Sequence, residues 1–183
     1  MKCIADLHIK DPGSALTHFI AFVGSAAAAA PLMKAAAEPD ASRLQIAALA
    51  VFIVSMILLY AASTVYHTLD ISEKVNRLLR KLDHMMIFIL IAGTYTPICL
   101  IVLGNRSGFL LLALVWAIAA AGILINAFWI SCPKWFSSLI YISMGWVCVT
   151  AFREIISALP PAAFSWLLAG GIIYTVGGVI YAL

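Results

Sequence analysis

Residues 46–70 read IAALAVFIVSMILLYAASTVYHTLD. Within 46–59 there is no charge and a single hydroxyl, Ser55. The apolar run extends to 43–67. At 1.5 Å per residue that is enough helix to cross about 30 Å of hydrocarbon. The end of the run differs in kind. Ser63 and His67 stand four residues apart and so share one helix face, separated in depth by about 6 Å. Polar and ionisable groups inside a span are expensive, usually face the bundle interior and mark a functional site.

The whole chain follows the same pattern. Of its 183 residues 64% are hydrophobic and 10% charged, and the mean hydropathy is +1.08. A soluble domain is roughly half apolar and about a quarter charged, so the expectation is an all-α, polytopic transmembrane helix bundle, one domain over 1–183. Six apolar segments stand out, at 13–33, 43–67, 82–104, 108–131, 135–157 and 162–183. The short polar breaks between them favour antiparallel neighbours in an up-down bundle. A formal net charge of +3, with no basic patch interleaved with aromatics, excludes a nucleic-acid partner. Cys3, Cys99, Cys132 and Cys148 are scattered without a CxxC and read as buried small hydrophobes. The first segment ends in small residues, as a signal peptide does. Its leader, however, carries Asp6, His8 and Asp11 where a signal needs basic residues, so it reads as an uncleaved span.

Basic residues set the orientation. With the N-terminus inside, Lys2, Lys10, Lys74, Arg77, Arg80, Lys81 and Lys134 are cytoplasmic, against Lys34, Arg43, Arg106 and Arg153 outside. Ile71, Val75, Leu78 and Leu82 recur at helical spacing, which predicts a short interfacial helix between spans 2 and 3. Asp70 and Glu73 resemble a capping box at its start.

That topology brings the third segment's Asp83 to about the depth of His67, and His18 into the same leaflet. Imidazole suits zinc, a catalytic zinc site keeps an open position for water, and a carboxylate and a hydroxyl beside it supply proton transfer and hydrogen bonding. Ser63, His67, Asp83 and His18 are therefore one candidate layer. A plainer reading stands beside it: His67 snorkels to the interface, Asp83 caps the third span and Ser63 bonds its own helix. His84, next to Asp83, points about 100° away from it and reads as structural. In GTYTP (93–97), Pro97 predicts a kink with Thr94 or Thr96 satisfying the freed Gly93 carbonyl. Gly170, Gly171, Gly177 and Gly178 predict a close-packing face on the last span. Trp116, Trp129, Trp135, Trp146 and Trp166 read mostly as interfacial anchors, and Arg153 and Glu154 as a solvated outer end.

The stretch ASTVYHTLDISEKVNRLLRKLDHMMIFILIAGTYTPICL, together with DPGSALTHFIAFVGS, YISMGW and LLAGGIIYTVGGVIYAL, resembles the hemolysin III family, which belongs with the progestin and adipoQ receptors and is related to alkaline ceramidases. The resemblance implies seven helices and a zinc ion near the cytoplasmic side. It makes His67 the second-helix ligand, Asp83 a partner reaching the metal through water, and Ser63 the substrate-side hydroxyl; His18 is a further candidate ligand. The family's other ligands form an H-x-x-x-H on a seventh helix. That motif does not occur in this sequence, so the chain reads as truncated before that helix, with its zinc site incomplete. The exposed glycine face would then be covered by self-association or bound lipid.

The function implied is a zinc-dependent hydrolase of lipid amides, ceramidase-like, with membrane lipid or a fatty acid as ligand. The alternatives are a non-enzymatic regulator of the membrane, a cytolytic protein, or a structural bundle. The expected location is the bacterial inner (plasma) membrane. One consequence is directly measurable. A cysteine introduced at Asn76 is expected to react with a membrane-impermeant maleimide only when the cytoplasmic face is opened; labelling of intact cells from outside would reverse the orientation.

Overall fold

The computed structural model describes residues 9–37, 41–129 and 133–182, and no strand occurs among them. Lys2, Cys3, Asp6, His8 and Cys132 lie outside these residues. The helices are α1 (Pro12–Ala36), α2 (Arg43–Thr68), α3 (Glu73–Pro97), α4 (Arg106–Phe128), α5 (Lys134–Trp146), α6 (Phe152–Ala158) and α7 (Pro161–Ala182). A π-helical turn, Ile98–Leu103, extends α3, and a 3-10 turn, Val147–Ala151, joins α5 to α6. Six continuous helical stretches are long and apolar enough to cross a membrane. The chain is an all-α, multi-pass membrane bundle.

Local chemistry explains most of the ends. Ser42 and Gln45 form a reciprocal capping box on α2 (3.2 and 2.8 Å). Asn105 caps α4 by accepting from the Gly108 N–H at 2.9 Å. Gly104, at φ 56°, ends the π turn in the left-handed region that favours glycine.

The third span differs from the sequence expectation in three ways. The predicted interfacial helix is not separate: residues 73–97 form one helix, because nothing between Leu78 and Asp83 breaks it. Its cap is Ser72, which accepts from the Val75 N–H, rather than a box of Asp70 and Glu73; Asp70 instead accepts from Asn76 Nδ2 at 2.7 Å and Glu73 pairs with Arg77 at 3.3 Å. After Pro97 the helix widens into a π turn, and neither threonine turns to Gly93. Thr94 donates to the Leu90 carbonyl and Thr96 to that of Ala92.

The core lies where α3, α4, α5 and α6 meet, around Phe88, Ala92, Cys99, Val115, Met144 and Ile155, all at most 1% exposed. Close approach is set by glycines. A Cβ on Gly93 would collide with the Ser55 side chain of α2, and one on Gly122 with the Phe88 ring. On α7 only Gly178 is in tight contact, against Ile142, and its carbonyl accepts from Ser138 Oγ; Gly170, Gly171 and Gly177 have open space. The predicted packing face is thus reduced to one residue among the described partners. Two tryptophans also depart from the anchor reading. Trp116 lies mid-helix in α4 and donates to Thr96 Oγ1 at 3.2 Å, and Trp146 lies mid-span and donates to Thr175 Oγ1 at 2.9 Å. Cys99 is buried, Cys148 half-buried, and both are free thiols.

The break between α5 and α6 has a specific cause. Tyr95 Oη is 2.6 Å from the Gly145 carbonyl and 3.0 Å from that of Met144, and it accepts from the Cys148 N–H at 2.9 Å. The hydroxyl thus stands between the carbonyl of residue 144 and the N–H of residue 148, which would bond each other in a regular helix, and the next turn is 3-10. Tyr95→Phe is expected to leave these groups short of partners in a lipid environment and to lower stability by about 1–3 kcal/mol, measured by unfolding in mixed micelles. An unchanged midpoint would show that the hydroxyl does not hold the break.

Candidate functional site

The start of α1 docks on the end of α2. The Asp11 N–H donates to the His67 carbonyl at 2.9 Å, and the Lys10 N–H to the Thr68 carbonyl at 3.4 Å. Helix α2 therefore has two of its last carbonyls satisfied from another segment. Lys10 Nζ lies 3.7 Å above the centre of the Tyr66 ring, a cation–π contact. Pro12 opens α1 at a position where a missing N–H costs nothing. Asp11 occupies the N-cap position, yet its side chain makes no cap bond. Its Oδ2 lies 3.0 Å from His67 Nδ1. An ionised carboxylate only accepts, so Nδ1 is the donor, and in the neutral ring Nε2 then keeps its lone pair.

His18 is seven residues after Asp11, two turns along the same face of α1. Its ring stacks on His67 with 5.3 Å between centroids and 12° between planes, and it meets Tyr60 at 6.1 Å. Helix α1 thus holds His67 at an edge, through Asp11, and at a face, through His18.

The crossing of α2 and α3 at Ser55 and Gly93 fixes the level of Asp83. Counting from that crossing along antiparallel helices, Asp83 lies about 15 Å away, between Ser63 at about 12 Å and His67 at about 18 Å. Asp83 is 8% exposed and Ser63 4%. The Ser63 hydroxyl has no hydrogen bond to another described residue, unlike Ser55, which donates to the Phe52 carbonyl, and Thr64, which donates to that of Tyr60. Asp83 sits ten residues inside α3 and so does not cap it.

His84 is closer to this layer than its angle predicts: its Nδ1 is 3.6 Å from Asp83 Oδ2. Its bonds are structural all the same. Nδ1–H donates to the Arg80 carbonyl at 2.7 Å, and Nε2 pairs with Tyr181 Oη at 2.7 Å, tying the end of α7 to α3. Lys81 Nζ donates to the Ala127 carbonyl at 2.7 Å, where the negative end of the α4 dipole favours a cation. At the other end of α4, Glu154 accepts from Asn105 Nδ2 at 2.9 Å rather than being merely solvated, and Arg153 is exposed.

Two turns further along α3 an apolar crevice of about 380 Å³ opens between α3, α5–α6 and α7, lined by Ile91, Tyr95, Trp146, Phe164, Gly170 and Tyr174 among others. Tyr174 Oη is buried without a hydrogen-bond partner among the described residues.

A zinc ion would find part of what it needs. His67 offers one imidazole with Nε2 available and Nδ1 bonded to a carboxylate, the usual arrangement around a metal-binding histidine. Among the described residues no three His, Cys, Asp or Glu side chains are grouped to hold a metal ion. The described residues therefore fit one ligand position and not a full shell of three.

Sequence reasoning singled out His67, Asp83, Ser63 and His18 as candidates, but not Asp11 or Tyr181. No spacing rule links an acidic residue before a proline-led helix to a histidine 56 residues away.

Residues 8–183 match the family described as Haemolysin-III related. The chain is 38% identical over 172 residues to a hemolysin-3 homolog of Bacillus subtilis (strain 168), covering 94% of this chain and 80% of that protein. It is 39% identical over 172 residues to a hemolysin-3 of Bacillus cereus, covering 94% and 78%.

The stack on His67 is separable from any other role of His18. His18→Phe keeps a flat ring against His67 and Tyr60 and is expected to unfold within about 0.5 kcal/mol of the parent. His18→Ala opens a gap and is expected to lose about 1–3 kcal/mol. Equal stabilities in mixed-micelle unfolding would show that the stack contributes nothing.

Proposed function

The chain belongs to the haemolysin-III related family of multi-pass membrane proteins, and from that premise we propose that it carries the polar half of a zinc-dependent lipid-amide hydrolase. The observation that carries this reading is the pairing of His67 Nδ1 with the Asp11 carboxylate at 3.0 Å. Snorkelling and packing need no such pair, whereas a metal-binding imidazole does. In this reading His67 Nε2 is one zinc ligand, and His18, stacked on it, is the next imidazole to hand. The remaining ligands come from outside the described residues. A zinc ion supplies Lewis acidity, polarising a carbonyl and acidifying water.

The chain's own residues then have defined tasks. Asp83, almost fully buried, accepts a proton from water as the water oxygen adds to the amide carbonyl carbon. It returns that proton to the nitrogen as the C–N bond breaks, giving a fatty acid and an amine. Ser63, with its hydroxyl uncommitted, donates a hydrogen bond to the substrate. The apolar crevice suits a hydrocarbon chain, so the substrate class is a membrane lipid amide such as a ceramide. By the positive-inside count the layer faces the cytoplasm of a bacterial inner membrane.

A second reading has its own support. No group of three metal-binding side chains is assembled among the described residues, which favours a non-enzymatic role in membrane homeostasis, or the membrane-active role that the relatives' name hemolysin suggests. The nearly all-apolar spans disfavour a pore made by one chain.

The two readings separate in one experiment on purified protein, with zinc counted by mass spectrometry and hydrolysis followed on a labelled ceramide. The hydrolase reading expects about one zinc per site wherever the remaining ligands are supplied, lost in His67→Ala. It expects Asp83→Asn to keep zinc but to turn over about 10²–10⁴-fold more slowly, and Ser63→Ala to lose about 5–10-fold. Parent protein with neither zinc nor turnover would overturn it in favour of the non-enzymatic reading.

A further inference from the structure

We infer that Asp11 is a positioning residue for His67: its carboxylate fixes the proton on Nδ1 and so presents Nε2, unprotonated, to the polar layer shared with Asp83 and Ser63. The inference rests on the proposed role of His67 but concerns residues outside the family's expected site. Four observations carry it. The Asp11 Oδ2 to His67 Nδ1 distance is 3.0 Å. Asp11 stands at the N-cap of α1, where an aspartate ordinarily turns back onto the first backbone N–H groups, and makes no such bond; its side chain is committed elsewhere. Its backbone is held independently, by the N–H bond to the His67 carbonyl at 2.9 Å and by the neighbouring Lys10 N–H on Thr68, so the carboxylate is delivered to Nδ1 by main-chain contacts that any residue at position 11 can keep. The face of the same imidazole is held by His18, and the Tyr66 ring lies against it at 4.7 Å and 59°, which restricts rotation of the ring.

Exposure decides what the pair is for. The Asp11 side chain is 49% exposed and that of His67 20%. An ion pair so open to water contributes little to stability. Its effect on tautomer is not weakened in the same way, because the choice lies between two neutral imidazole forms and only one of them can donate to the carboxylate. Neutral imidazole left to water favours the other form, with the proton on Nε2, where it would block a metal or a proton in transit. The segment that precedes α1 thus acts on the chemistry of α2 through one hydrogen bond.

The test is a direct reading of the tautomer. Full-length protein in nanodiscs, metal-free and labelled with 15N and 13C in histidine, is examined by NMR at a pH where His67 is neutral, and the His67 signals are assigned by their loss in His67→Gln. The parent is expected to show His67 with Nδ1 protonated and Nε2 bare. Asp11→Asn, whose amide oxygen still accepts, is expected to keep that form; Asp11→Ala is expected to shift most of the population to the Nε2–H form. A parent His67 already protonated on Nε2, or an Asp11→Ala protein with an unchanged tautomer, overturns the inference and leaves Asp11 as a strap for the N-terminal segment, whatever happens to stability. If the parent binds no zinc, the hydrolase reading falls, while the tautomer measurement still decides the role of Asp11.

Discussion

No water reaches the middle of a bilayer, so a polar group carried into a span is costly unless it finds a partner within the protein. That constraint organises this chain. Thr94, Thr96 and Ser55 return their hydroxyls to carbonyls of their own helices, and the Trp116 and Trp146 indoles are turned inward to threonine hydroxyls. Tyr95 goes further and takes over backbone partners in the neighbouring span. The result is a bent fifth span, where a helix with regular backbone bonds would have been straight. At the end of the bundle that holds the starts of α1 and α3, side chains also face one another: Asp11 with His67, and His84 with Tyr181.

Helix α3 is the member on which the others depend. Its Gly93 admits Ser55 of α2, its Phe88 fills the space that Gly122 leaves on α4, and its Tyr95 reaches into α5. Without a hydrophobic force between helices in lipid, such close approach and interhelical hydrogen bonding are what remain to hold spans together. The Ser55–Gly93 crossing also sets the register that levels Asp83 with the stretch from Ser63 to His67. A slip of one turn, about 5.4 Å, would carry Asp83 past either of them. Packing in the apolar half of the bundle therefore determines the geometry of the polar layer.

The contrast between the two flanks is equally physical. Helix α1 buries only Ala15 and Ser25 but holds His67 through its own polar residues. Helix α7 buries no residue fully; it packs on the core through Phe164, Leu167 and Tyr174 and makes further contacts at Gly178, Thr175 and Tyr181. Its glycines at 170 and 171 border the apolar crevice, where a small residue leaves room for something other than a helix of this chain.

Hydropathy alone determined that the chain is an all-α membrane bundle with six spans, because twenty-odd consecutive apolar residues have few stable alternatives to a lipid-spanning helix. The motif around Ser63, His67 and Asp83 was also legible, since helical periodicity and up-down topology suffice to bring those positions to one depth. What the sequence left open was decided by contacts between residues far apart in the chain. Asp11 read only as an acidic residue of the leader until α1 docked on α2. The segment 71–82 read as a separate interfacial helix because its amphipathic pattern gives no sign of whether the next span continues it. Trp116 and Trp146 read as interfacial anchors, and only packing showed their indoles turned to Thr96 and Thr175. A local pattern reports which face of a helix is apolar; it does not report which neighbour will occupy that face, and side-chain hydrogen bonding here followed the neighbour.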